Sequence, residues 1–475
     1  MSQPPDNNDA GMVHGGWALP YLTPAPLPKP DAGNAHGTAS YTGSHQTVSG
    51  RCRTSGDAAK YHLNTEEPQL MHIDLNSAFA SAEQQAWPSL RGRPMGVTNR
   101  ISKECCVIAA SYEAKALGIK VGCRRTEAMA LCPDFVMLET DPSKYTFMYQ
   151  NLMRIMKTYS PNIKMKSIDE GVIDFHGTRL VNSRSLCEIG MEIKQRMKDE
   201  VGKFMRVNVG IGPNRFLAKT AAGLHKPDGL DTIDHTNLID IYKSLELTDL
   251  TGIAEAYGAR LKAHGIHTPL QFLEAPDDLL RRKVFKSING LHWHERLRGY
   301  EVDDYVTNLG MVGRQWVVKT PSNDDEYLRS CLHFLTETTA MKLRFRNVEA
   351  RGVCVWLGFA AGGGWKDKQM LHTTIYTNQD IWLQVSRLFD RRPGHMVVRI
   401  MGLYLYELTP STRSQLSMFD DVEKADYLTK AMDEINDFYG SFTVYSADTL
   451  TGTRHVKQKI PFGGTEYFEL LLKRA

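Results

Sequence analysis

Apolar residues change their spacing along this chain, and the changes mark its elements. Short, mostly apolar runs at 71–75, 95–98, 106–110, 135–138 and 207–211 read as strands. Stretches with apolar positions three and four apart, at about 113–131, 143–158 and 183–201, read as helices, and a shorter one follows Ser77. Residues 236–300 have a helical pattern throughout. From about 306 the order is strand (313–319), helix (325–345), strand (352–359), strand (371–376), helix (378–390) and strand (396–405). Residues 1–66 hold Gly, Pro, Ser, Thr, Asn and His clusters without a sustained period, which predicts a disordered or loosely attached extension.

Composition narrows the class without naming a function. A length of 475 residues suggests about three domains, and 23% charged with 42% hydrophobic residues is ordinary for a globular protein. A net charge of +3 is too small to attract nucleic acid by itself, so any basic surface has to be local. One lies in 306–414, where 14 Lys+Arg stand against 9 Asp+Glu. No run of 18 apolar residues and no basic-then-apolar leader is present, so no membrane partner is expected. The eight cysteines form no C-x-x-C pair, and Cys105-Cys106 are adjacent, which fits reduced thiols in a cytoplasmic protein.

Chemistry concentrates in two stretches. Met71-His72-Ile73-Asp74-Leu75 is an apolar run with one acid near its end, and Asn76-Ser77, both good N-cap residues, turn it into a helix. A carboxylate there can hold a metal while first-turn N–H groups face the phosphate that the metal brings. In Ser167-Ile168-Asp169-Glu170-Gly171 two adjacent acids sit between apolar segments, read as strand, tight bend at Gly171 and returning strand. Neighbouring carboxylates repel, so the pair is costly unless cations bind. With Asp74, three acids from two strands could bind two Mg²⁺ ions about 3.5–4 Å apart.

These two stretches resemble the metal-binding motifs of the Y-family, or translesion, DNA polymerases: an Asp, a residue ligating through its carbonyl, an aromatic five positions after the Asp, and S-I-D-E. Asp74, Leu75, Phe79, Asp169 and Glu170 occupy those positions. The match continues through the run from Tyr112 to Gly118 (YEAKALG), GPNRFLAK ending at Lys219, and Lys226-Pro227-Asp228-Gly229, and covers roughly residues 68–440. It implies an α+β multidomain fold shaped as a right hand: a split βαβ palm (67–94 and 136–233), small fingers (95–135), a helical thumb (234–303) and an α/β little finger (304–410). A linker (411–422) and a C-terminal extension (423–475) would follow.

The resemblance also implies roles. Asp74 and Asp169 would bridge two Mg²⁺ ions (Mn²⁺ can substitute), Glu170 would serve the ion of the primer hydroxyl, and the Leu75 carbonyl would serve the ion of the nucleotide. Tyr112, Lys115, Lys226 and the N–H groups of Ala78 and Phe79 would hold the dNTP triphosphate, and the Phe79 ring would exclude a ribose 2′-hydroxyl. Ala109 replaces a Thr that touches the phosphates in many members, and Ser77-Ala78 is smaller than the usual pair before the gate. Leu250 to Ile266 resembles a helix-hairpin-helix gripping a DNA phosphate at Gly252, with Ala254 where a second glycine is usual. Lys342, Arg344, Arg346 and Arg351 are the candidate contacts of the little finger to primer–template DNA. Gln415, Leu416, Met418 and Phe419 resemble a bacterial sliding-clamp motif. The whole reads as a monomeric, low-processivity, lesion-bypassing DNA polymerase. The alternatives are another two-metal palm enzyme, such as a nucleotidyl cyclase, or a DNA-binding accessory protein without catalysis.

Overall fold

The structure is a computed structural model that describes residues 54–102, 105–305, 309–411, 422–440 and 442–450, with 452 and 456. Helix α1 (Thr54–Tyr61) leads to β1 (Leu70–Leu75) and α2 (Ala78–Ala86). A small unit follows: β2 (Met95–Thr98), β3 (Ala109–Ala110), α3 (Tyr112–Ala116), α4 (Arg125–Leu131) and β4 (Val136–Glu139), its three strands ordered β3-β2-β4. The chain then returns with α5 (Pro142–Lys157), β5 (Ile163–Met165), β6 (Glu170–Asp174), α6 (Leu186–Arg196), β7 (Val207–Gly212), α7 (Arg215–Leu224) and β8 (Leu230–Thr232).

β1 is the centre of a five-stranded sheet ordered β5-β6-β1-β7-β8. Its period of two divides the side chains. Met71 and Ile73 enter a core with Ile173, Val209 and the inner faces of α5 and α6. His72 and Asp74 leave from the opposite face, where α7 crosses. The crossing depends on glycine: a Cβ on Gly210 would lie 2.0 Å from the Ala218 carbonyl oxygen and 2.2 Å from the Ala222 nitrogen. That proximity lets Lys219 of α7 reach the strand ends.

The thumb comprises α8 (Leu238–Ser244), α9 (Glu255–Lys262), α10 (Pro269–Glu274), α11 (Asp277–Leu279) and α12 (Asn289–Leu297), packed around Leu261, Phe272, Phe285 and Trp293. The little finger runs β9 (Met311–Ser322), α13 (Asp325–Phe345), β10 (Val348–Phe359), β11 (Gly364–Ile375), α14 (Asn378–Phe389) and β12 (Val398–Pro410). Its strands are ordered β11-β10-β12-β9 and all antiparallel, with α13 and α14 packed against the face of Val353, Val355, Leu403 and Leu405. Helix α15 (Val422–Tyr439) follows.

Several sequence expectations change. The end of the stretch read as a loose extension, 1–66, is ordered: Ala58, Tyr61 and Leu63 are buried in the thumb core. The Tyr61 hydroxyl donates to Glu274 at 3.0 Å, and Asn64 Nδ2 donates to the Gly299 carbonyl at 3.1 Å. The helical region expected at 113–131 consists of two helices, α3 and α4, because Gly118 (φ +84°) and Gly122 (φ +91°) turn the chain between them. The strand expected at 106–110 shrinks to Ala109–Ala110, with an isolated bridge at Cys106. Gly171 is not in the bend; it lies inside β6, where a Cβ would meet Met156 Cε and Met165 Sδ at 2.8 Å. Ser77 precedes α2 as expected but gives it no side-chain cap bond, and its backbone is left-handed (φ 48°). The Asn76 side chain instead donates to Asn208 at 2.9 Å and accepts from the Asp228 N–H at 2.8 Å.

Candidate active site

The antiparallel register of β1 and β6 sets Asp74 opposite Glu170, so both carboxylates leave the same face at the same end of the sheet. Asp169 precedes β6, and the Leu75 N–H donates to its carbonyl at 2.8 Å, which joins the two stretches through the backbone. The Asp169 carboxylate accepts from Ser167 Oγ at 2.5 Å. Burial pushes the Asp169 carboxyl up, and the charges of Asp74 and Glu170 push the same way against the Ser167 bond. Burial also acts to raise Glu170, but His72 Nε2 at 3.2 Å and the Lys219 ammonium at 2.8 and 2.6 Å outweigh it and hold the group at about 2. The Lys226 ammonium is in contact with the Asp74 carboxylate. Each strand-end acid opposite the other is thus met by a lysine.

Beyond Asp74 the site turns positive. Lys115 donates to Ser77 Oγ at 2.7 Å and sits 4.6 Å from the centre of the Tyr112 ring. Burial pushes Lys115 down, and the neighbouring Lys226 pushes it further than Asp74 can restore. Burial and Asp74 raise the Tyr112 phenol, against a hydrogen bond with Ser77 and the charge of Arg206. Two adjacent ammonium groups, partly desolvated beside one shared carboxylate, favour a polyanion that replaces water. Phe79, buried in the first turn of α2, stacks on Tyr145 with centroids 4.3 Å apart. Tyr145 is anchored through its hydroxyl to Glu83 at 3.0 Å, and Glu83 pairs with Lys144 at 2.7 Å. The gate candidate therefore has a fixed backing.

Among the described residues the group with metal-ligating atoms within 4.8 Å of one another is His72, Asp74 and Glu170, rather than the three acids. An imidazole nitrogen is a poor donor for Mg²⁺, which takes oxygen ligands, and the His72 nitrogen is already engaged by Glu170. His72 orients Glu170. The residues present fit hard divalent cations: Asp74, Asp169 and Glu170 offer carboxylate oxygens at one end of the sheet, and lysine ammonium groups lie on Asp74 and Glu170.

Sequence reasoning missed His72, Ser167, Lys219, Arg206 and Asn208. A strand period of two already places His72 on the face of Asp74, and Ser167 and Lys219 stand inside recognised motifs without an assigned role. Arg206, whose guanidinium lies 5.7 Å from the Tyr112 ring centre, had no local signal; only the fold brings it there.

The proposed DNA contacts divide. Gly252 has φ +98°, the left-handed backbone that glycine favours, but it is preceded by a three-residue 3₁₀ turn (Leu247–Asp249) where a short helix was expected, and Ala254 caps α9 at φ −91°, which needs no glycine. Lys342 is half-buried and pushed down to about 8 by burial and then by Arg346 and Arg314, so these three charges form one cluster. Arg351 is exposed on β10. Arg344 belongs elsewhere: it forms a bidentate pair with Asp433 of α15 (2.6 and 2.8 Å) and donates to the Tyr376 carbonyl and to Asn378. Its hydrogen-bonding capacity is spent on holding α15. The stretch expected to bind a clamp, Gln415 to Phe419, lies outside the described residues.

Profiles of known families match this chain twice: the impB/mucB/samB family over residues 73–223 and the C-terminal domain of that family over 312–418. DNA polymerase IV of Moorella thermoacetica is 32% identical over 398 residues, covering 81% of this chain and 96% of that protein. DNA polymerase IV 1 of Bacillus subtilis is 27% identical over 390 residues, covering 80% and 93%. Among solved structures, a Y-family DNA polymerase chimera of Dbh and Dpo4 superposes with a TM-score of 0.63 at 22% identity, covering 72% of this chain and 99% of that one. An insertion ternary complex of Dbh DNA polymerase gives 0.51 at 21% identity, with coverage of 72% and 99%.

Proposed function

We propose, from the premise that this chain belongs to the impB/mucB/samB family of Y-family DNA polymerases, that it extends a primer on damaged template by adding dNTPs to the 3′-hydroxyl. One observation carries this reading: Asp74 and Glu170 face each other across β1 and β6 with Asp169 beside them, and Lys115 and Lys226 adjoin the same end. Acids hold the metal side, and lysines hold the polyanion side.

Asp74, Asp169, Glu170 and the Leu75 carbonyl would hold two Mg²⁺ ions, which would supply positive charge to the phosphates and to the primer hydroxyl. The remaining work belongs to the chain. Lys226 leaves Asp74 to meet the triphosphate, together with Lys115, Tyr112 and the first-turn N–H groups of Ala78 and Phe79. Lys219 and His72 keep Glu170 ionised and aimed at the reacting end. Phe79, braced by Tyr145, fills the space of a 2′-hydroxyl. The glycine turn at Gly252 and the cluster of Lys342 and Arg346, with Arg351, take phosphates of primer–template DNA. Gln415, Leu416, Met418 and Phe419 tether a cytoplasmic monomer to the sliding clamp, which raises its effective concentration at the primer end.

Primer extension with dNTPs and Mg²⁺ tests the function. Template-dependent addition that stops on omission of the templated dNTP is expected. Cyclic nucleotide formation without DNA would favour the cyclase, and DNA binding without addition would favour the accessory protein.

A further inference from the structure

Helix α15 is amphipathic with its faces reversed. Polar groups hold it to the rest of the chain: the Arg344 guanidinium donates to Asp433 at 2.6 and 2.8 Å, and the Tyr376 hydroxyl donates to Asp426 at 3.1 Å. The Asn436 amide exchanges two bonds with the backbone of Val444, at 2.8 and 2.9 Å. At about 100° per residue these three side chains share one face of the helix. Tyr427, Leu428, Ala431, Ile435, Phe438 and Tyr439 fall on the other, within an arc of about 120°. That arc is open to solvent: Phe438 is 81% exposed, Tyr439 72%, Tyr427 69% and Leu428 62%. A contiguous apolar face of this kind on a folded chain marks a contact surface.

The course of the chain after α15 shows which segment can reach that face. The Ser446 N–H donates to the buried Glu337 of α13 at 3.3 Å. Further on, a Cβ on Gly452 would lie 2.3 Å from the Ser330 carbonyl oxygen, and Val456 is buried in the little-finger core. The chain thus follows α13 backward from Arg344 to Ser330, about 21 Å at the helical rise. Nineteen residues follow Val456 in the sequence. Residues 457–463, if extended, span about 23 Å, enough to return to α15. After Gly463-Gly464, Thr465 is a good N-cap residue, and Tyr467, Phe468, Leu471 and Leu472 follow at helical spacing. Charge agrees with this match. Residues 422–439 hold five acids against two lysines, and 457–475 hold four basic side chains against two acids. A second copy meeting this face through its own α15 would set acids against acids.

We propose that residues 457–475 cover the apolar face of α15, with Tyr467, Phe468, Leu471 and Leu472 packed on Tyr427, Leu428, Ile435 and Phe438. The last part of the chain then binds the little finger twice, through Val456 on α13 and through this segment on α15. The contact goes beyond the polymerase reading and does not depend on it.

Amide hydrogen exchange of the full chain, read by mass spectrometry on 427–439 and 465–475, tests the proposal. In the unmodified protein 465–475 is expected to exchange at least tenfold more slowly than a free synthetic peptide of the same sequence. Phe438→Asp, at an exposed position away from the docked face, should remove that protection, and Tyr427→Asp should do so from the other end of the helix. In the reverse direction, Leu471→Asp combined with Leu472→Asp should speed exchange in 427–439 at least threefold; this second variant leaves the little-finger core untouched. Exchange of 465–475 at the free-peptide rate would overturn the proposal. So would protection that survives both α15 substitutions, or exchange in 427–439 that ignores the changes at 471 and 472. Protection that appears only as protein concentration is raised would overturn it in favour of a second copy.

Discussion

Glu170 is the residue on which opposing forces in the palm are most plainly balanced. Burial favours its neutral form, and His72 and Lys219 win against burial. A carboxyl held at about 2, below its ordinary 4.5, stabilises the fold fully above 4.5 and loses that contribution as pH falls toward 2. Asp169 has the opposite sign: raised above its ordinary 3.8, it contributes most below that value and loses the contribution as pH rises through its raised value. Lys219→Met removes one of the two partners that hold Glu170 down, so its acid-unfolding midpoint, followed by circular dichroism, is expected to move upward. An unchanged midpoint would show that His72 alone holds the acid. Phe79→Ala removes excluded volume without touching an acid or a lysine. The ratio of kcat/KM for a matched ribonucleotide to that for the deoxyribonucleotide is expected to rise well over threefold, the change that ~0.7 kcal/mol produces. Legibility at this scale followed sequence proximity. Asp74, Asp169 and Glu170 stand in short local patterns, whereas Arg206 reaches Tyr112 only through the packing of the loop before β7.

Among the elements, α7 decides whether Lys219 arrives at all. It lies on β7 with no room for a side chain at Gly210, and the obstructing atoms are backbone, which cannot rotate away. Gly210→Ala is therefore expected to cost about 1–3 kcal/mol in a denaturant titration and to lower extension through misplacement of Lys219. A stability within 0.5 kcal/mol of the parent would mean that the helix can shift. The order of strands and helices was legible because apolar spacing follows burial, and burial is one-sided in most of these elements. Element ends were less so. The break between α3 and α4 needed the backbone signs of Gly118 and Gly122, and Gly171 suggested a bend where the sheet instead required a small residue against Met156 and Met165. The clustered charges of α13 suggested one DNA-facing group, but helical rotation sends Arg344 to Asp433 and leaves Lys342 with Arg314 and Arg346.

Across the whole molecule, palm and thumb are joined by residues that looked dispensable. Tyr61 and Leu63 share a core with Phe216 and Leu217 of α7 and with the thumb helices, so the segment before β1 fastens the helix that carries Lys219. A chain starting at residue 67 should melt several degrees below one starting at 54, since burying a side chain such as Tyr or Leu is worth about 1.5–3 kcal/mol. Equal melting temperatures would mean that the docking of α1 contributes nothing. The central claim is that these elements exist to hold three carboxylates for phosphoryl transfer, and single-turnover incorporation of one templated dNTP by the Asp169→Ala protein tests it most directly. The account predicts a loss on the order of 10³-fold or more, in a protein that melts no lower than the parent in EDTA because a repelled, buried acid has been removed. Incorporation at the rate of the parent would contradict it.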